Sequence, residues 1–121
     1  MRKFVLVALL AAVPASAQAM DVASFLAKAD PLMKKGMMAI FSSDYKVLTS
    51  EIQTESAALR SERLAAKAAG RPQAYCPPEK SGLTVDEIMK GMHSIPAAQQ
   101  PRVEVRDALR ALLGRKFPCR S

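Results

Sequence analysis

The chain has 121 residues, half of them apolar, with two tyrosines, four phenylalanines, no tryptophan and a formal net charge of +7. That length holds one small domain with one modest core and is too short for two domains of ordinary size. With so few aromatic residues, the core must rest on Leu, Ile, Val, Met and Ala.

The start of the chain reads as a secretory leader. Arg2 and Lys3 are followed by an unbroken apolar run, Phe4 to Val13, then Pro14 and the small-residue stretch Ala15-Ser16-Ala17-Gln18-Ala19. This is the pattern of a signal peptide, with cleavage expected after Ala19 and after Ala17 as the alternative. The apolar run is shorter than the roughly 20 residues a spanning helix needs. No Cys follows it, so no lipid anchor is expected, and no integral membrane segment is expected after cleavage. Residues 1–19 are thus the expected leader and 20–121 the expected domain, exported to the periplasm. Losing Arg2 and Lys3 lowers the charge from +7 to +5. In a cytosolic protein that balance would point to nucleic acid. Outside the inner membrane the anionic partners are lipid head groups, cell-wall polymer and acidic proteins, and no nucleic acid is expected.

The remaining chain predicts helices throughout. Asp21 can cap a helix that places Val22, Phe25, Leu26 and Ala29 on one face. Asp30-Pro31 predicts a restart, with Asp30 as cap and Pro31 at the first helical position. A short apolar segment, Leu32 to Phe41, follows, and Gly36 is expected to interrupt it. From Ser42 to Ala69 there is neither Pro nor Gly. This predicts the longest helix, with Tyr45, Leu48, Ile52, Leu59 and Ala66 near one face and Glu55 and Ser56 diluting it. Gly70-Arg71-Pro72 supplies the stop.

Charges along this helix are sorted: Asp44, Glu51 and Glu55 come first; Arg60, Arg63, Lys67 and Arg71 come last. The order complements the helix dipole. The basic residues step by three or four and form a stripe. It is either a solvated face or a docking stripe for an acidic partner. Residues 71–83 read as a Pro-rich loop. Thr84 and Glu87 form a capping box for a helix with Val85, Ile88, Met89 and Met92 inward, ending near His93. After Ile95-Pro96 and a polar connection, a last helix is predicted from about Val103 to Lys116. It would bury Val105, Ala108, Leu109, Leu112 and Leu113, and Phe117-Pro118-Cys119 would stop it.

Cys76 and Cys119 are the two cysteines. In an exported small domain an even count implies a disulfide, and two cysteines allow one intramolecular pairing. The expected fold is therefore all-α: a small single-domain bundle of about five helices stapled by one disulfide.

Groups for catalysis are absent from the pattern. There is no phosphate-cradling glycine loop and no Gly-x-Ser-x-Gly elbow. His93 is the single histidine. Its neighbour Ser94 points about 100° away on a helix, so the two do not make a nucleophile pair. Asp86-Glu87 is explained by capping. Met33, Met37, Met38, Met89 and Met92 could bind copper in the periplasm, but their helical spacing favours an adaptable core. Two thiols and one imidazole do not complete a zinc site. The expectation is no cofactor, no metal and no enzymatic activity.

One pattern carries further. Tyr75-Cys76-Pro77-Pro78 precedes a capped helix, Thr84-Val85-Asp86-Glu87-Ile88-Met89. Ile95-Pro96, a helix with Ala108-Leu109, and Phe117-Pro118-Cys119 follow. In these residues the chain resembles the Rap/Tai immunity family of Gram-negative bacteria. The resemblance covers residues 75–119, with a weaker echo at Phe25-Leu26. The chain departs from the family in lacking an extra Cys near the mature start and a mid-chain Gly-Tyr element. Its long helix is also richer in charge and alanine. The resemblance implies a periplasmic immunity protein that binds and occludes a peptidoglycan amidase effector of type six secretion, often as a homodimer, without catalysis of its own. Such proteins push a loop into the amidase cleft. The exposed connections suited to this are residues 71–83 and His93–Val103. The second lies between two disulfide-anchored helices, and Gln99, Gln100, Arg102 and His93 are its candidate partner-binding residues. The rival expectation is an envelope protein docking on an anionic surface through Arg60, Arg63, Lys67 and Arg71.

Overall fold

The computed structural model describes residues 19–120. The expected leader lies outside the described residues, apart from Ala19. The described chain is all helical: α1 (Val22–Lys35), a 3-10 segment (Gly36–Phe41), α2 (Ser43–Ala68), α3 (Val85–His93), a short 3-10 turn (Gln100–Arg102) and α4 (Val105–Lys116). Four α-helices thus replace the five expected.

The difference lies at Pro31, which sits inside α1 instead of starting a new helix. Asp21 caps α1, its carboxylate accepting from the Ser24 N–H at 2.8 Å and the Ser24 hydroxyl at 3.0 Å. The buried face then runs through Val22, Phe25, Leu26, Ala29 and Leu32 without a change of phase. Pro31 lacks the N–H that would bond one turn back, but its ring faces solvent. Burying Leu32 on the same stripe keeps the helix continuous, and the expected cap Asp30 becomes an ordinary helical residue. Gly36, with φ 58°, ends α1, and the chain tightens into the 3-10 segment that buries Ala39.

Helix α2 is about 39 Å long at 1.5 Å per residue. It crosses the molecule against both α1 and α4. Its buried residues are Leu48, Glu55, Leu59 and Ala66. Tyr45, expected inward, is exposed, and Ile52 is half-buried. A Schellman closure ends the helix: Arg71 N–H donates to the Ala66 carbonyl at 2.9 Å and Gly70 N–H to Lys67 at 3.2 Å, with Gly70 at φ 69°. Arg71 therefore stands beyond the helix, off the stripe of Arg60, Arg63 and Lys67.

Thr84 caps α3 by accepting from the Glu87 N–H at 3.2 Å. Ile88, Gly91 and Met92 are buried and Met89 is half-buried. Val85 is 63% exposed, contrary to expectation, because at the first helical position it stands on the open side of a groove between α1, α2 and α3. Helix α4 buries Val105, Ala108 and Leu109; Leu112 and Leu113 are half-buried.

Two ties close the domain. The backbone at Asp21 pairs antiparallel with Glu104: Val22 N–H donates to Val103 and Val105 N–H to Met20, both at 2.8 Å. At the other end Cys76 and Cys119 form a disulfide across a separation of 43 residues. Beside it, Cys76 N–H donates to the Phe117 carbonyl at 2.8 Å. The disulfide holds the loop over residues 71–83 against the end of α4.

Candidate functional site

The most apolar concavity is a groove of about 520 Å³ between α1, the 3-10 segment, α2 and α3. Its floor is core: Phe25, Ala29, Leu32, Leu48 and Ile88. Its rim is apolar too. Met33, Ile40, Tyr45 and Val85 line it and stand exposed, and Met37 (88%), Met38 and Phe41 (77%) on the same 3-10 segment are exposed as well. Isolated exposed apolar residues are ordinary, whereas a contiguous patch around a concave apolar floor marks an interaction surface. Methionine adapts its shape to a partner at low cost.

The methionines thus divide. Met92 is fully buried and Met89 half-buried, as a core reading requires, but Met33, Met37 and Met38 face outward. The sequence signal for the patch is the density of apolar residues over 37–41. Every position there is apolar, and a segment that short, lying on the surface, cannot bury all its faces.

The basic stripe lines a second, more polar groove of about 750 Å³. Arg60, Arg63 and Lys67 form one wall and the loop Pro77–Leu83 the other. Arg63 stacks over the Tyr75 ring, 5.4 Å from its centroid, and its Nε is buried without a partner. Arg60 and Lys67 are exposed. Lys116 braces the loop: Nζ donates to the Gly82 carbonyl at 2.8 Å and to the Glu87 carboxylate at 2.8 and 2.9 Å. Lys116, aided by the Thr84 N–H, holds Glu87 below the usual carboxylate range.

The connection His93–Val103 is compact. His93 Nε2 lies 2.7 Å from Asp30 Oδ1, pinning the end of α3 to α1. Gln100 Nε2 donates to the Ile95 carbonyl at 2.9 Å, and the backbone N–H groups of Gln99 and Gln100 both donate to Pro96. Two of the four candidate partner-binding side chains, His93 and Gln100, are therefore engaged within the domain. Gln99 and Arg102 remain exposed.

No family model, no curated protein and no solved structure matches the chain. The resemblance to the Rap/Tai family therefore rests on the residues quoted above.

An acidic cluster on α2 escapes sequence reasoning. Glu55, only 4% exposed, occupies a core position and pairs with the Arg106 Nε on α4. Glu51, one turn earlier, has Oε1 buried without a hydrogen-bond partner. Burial first, and then the charge of Glu55, pushes the Glu51 carboxyl up; the Met20 backbone N–H and Arg106 partly oppose this. The clue in the sequence is Glu55 itself, a charge placed on the apolar stripe between Leu48 and Leu59. Arg110 makes a second link between α2 and α4, reaching Glu62 at 3.0 Å and Asp107 at 2.5 Å. Among the described residues no group of three or more His, Cys, Asp or Glu side chains could hold a metal ion. No helix among them is long and apolar enough to cross a membrane.

Proposed function

We propose that the protein is an exported binding protein of the Rap/Tai immunity type, which neutralises a peptidoglycan amidase effector by occluding its active site. The observation that carries this reading is the contiguous apolar patch around the groove of α1, α2 and α3. A disulfide-stapled domain of this size that leaves Met37, Met38, Ile40 and Phe41 in solvent has a surface shaped for a protein partner. The groove supplies the buried centre of the contact. Gln99 and Arg102, on the compact connection, supply exposed polar donors elsewhere on the surface. Because the turn is already ordered, little entropy is lost when it meets a partner. Inhibition of this kind needs a preorganised surface and no reacting groups.

The test is protection. The protein is co-expressed with the amidase encoded beside its gene, with the amidase directed to the periplasm, and lysis is scored. Wild-type protein should protect, and Met33→Glu combined with Ile40→Glu, both on the exposed rim of the groove, should abolish protection while leaving the circular dichroism unchanged. Lysis despite the wild-type protein would remove the immunity reading. Full protection by the double variant would move the contact away from the groove.

The clustering of Arg60, Arg63 and Lys67 along one wall favours a second reading, docking on an anionic envelope surface. It requires binding to anionic vesicles that weakens steeply with salt.

A further inference from the structure

We infer that Glu51 is the seat of the mature amino terminus: hydrolysis of the Ala19–Met20 bond frees an α-ammonium on Met20 that forms an ion pair with the Glu51 carboxylate. The inference rests on the export reading above, but not on the identity of any partner.

The backbone is fixed from Met20 onward. The Met20 carbonyl accepts from Val105 N–H, and the Asp21–Glu104 pairing and the Val22–Val103 bond follow directly. The Met20 side chain packs half-buried against the core, whereas Ala19 is exposed. The step from solvent to packed chain thus falls at the bond that the small residues Ala17 and Ala19 offer to a leader peptidase.

The site around this nitrogen holds more carboxylates than cations. Glu51 and Glu55 are neighbours one turn apart on α2, and Glu104 stands on the approach to α4. Arg106 is the cation beside them, and its Nε is already bound to Glu55. Glu51 Oε1 is left buried and unpartnered, an arrangement that costs stability in a folded protein. As a peptide nitrogen, Met20 offers one uncharged N–H to this cluster. Cleavage changes the donor at the same position. Water's hydroxyl passes to the Ala19 carbonyl carbon and its hydrogen to the Met20 nitrogen, which takes a further proton from solvent. The product carries three donors and a positive charge against Glu51. Maturation thereby completes the site, and the processed chain is more stable than its precursor.

The experiment begins with protein exported from the full-length chain. Its intact mass should correspond to a chain starting at Met20. The α-ammonium is then titrated by nitrogen-15 NMR. It should titrate at least one unit above the ordinary range of about 7.7–8.0, and Glu51→Gln should return it to that range. A stability comparison covers the case of a poorly folded variant. Glu51→Gln should lower the Tm of the chain that starts at Met20 and leave unchanged a chain carrying Gly-Ser before Met20. A mature chain starting at Gln18 would overturn the inference, as would an ordinary titration or equal Tm losses in both chains. None of these measurements involves the amidase, so failure here is distinct from failure of the immunity reading.

Discussion

Gly91 gives the sharpest test of how α3 and α4 are packed. It is buried in the last turn of α3, facing Leu112 of α4. A methyl group at Gly91 would lie 2.6 Å from Leu112 Cδ1 and 2.9 Å from Cγ, well inside contact distance. Two effects compete in Gly91→Ala. Alanine is favoured over glycine in a helix interior by about 1 kcal/mol. Against this, Leu112 must move. It is half-buried, and losing half of a full leucine burial costs about 1 kcal/mol. Displacing the side chain from its rotamer adds about another 1 kcal/mol. The net expectation is a loss of about 1 kcal/mol, or roughly 4–8 °C in Tm for a domain of this size. Thermal and urea unfolding of Gly91→Ala, Leu112→Ala and the double variant would measure it. In the double variant the methyl has space, so the helix-propensity gain should survive. The two changes should therefore couple favourably by about 1–2 kcal/mol. A higher Tm for Gly91→Ala alone, or strict additivity, would refute the close approach of the two helices.

Replacing Cys76 or Cys119 by Ser should cost about 4 kcal/mol, from the chain-entropy relation for a loop of this size, read as a shift in urea midpoint. The separation of 43 residues sets the loop. Arg106→Ala should cost about 2 kcal/mol, below the range for fully buried pairs, because Arg106 is 40% exposed while Glu55 is buried. Replacing Glu55 and Arg106 together by Leu should recover most of that loss, as urea unfolding would show. Acid should weaken the fold in a defined way. The Ser24 N–H holds Asp21 below its ordinary value of 3.8, and Lys116 holds Glu87 below 4.5. The stability these carboxylates add is complete above those values and is lost as pH falls through the lower folded ones. Asp21→Asn combined with Glu87→Gln should therefore flatten the fall in urea midpoint between pH 5 and pH 2.

Local rules fixed the elements of this protein. The Asp21 and Thr84 caps, the glycine stops at Gly36 and Gly70, and the Pro-free and Gly-free span of α2 act over a few residues, so they are legible in order along the chain. The single possible cysteine pair was legible for the same reason, since no other intramolecular pairing existed. Tertiary packing decided the rest. Pro31 stayed inside α1 because Leu32 continues a buried stripe whose partner lies on other helices. Met33, Met37 and Met38 became surface because the core was already filled by Phe25, Leu32, Leu48 and Ile88. Periodicity reports that a face is apolar, but not whether another element arrives to cover it. Glu55 entered the core because Arg106, distant in sequence, reaches it from α4. His93 was engaged within the domain because the fold brings Asp30 of α1 to it, whereas Gln100 turns back on the Ile95 carbonyl five residues earlier. Caps, stops and cysteine number depend on neighbours along the chain; burial, ion pairing and the groove depend on neighbours in space, which one-dimensional spacing does not specify.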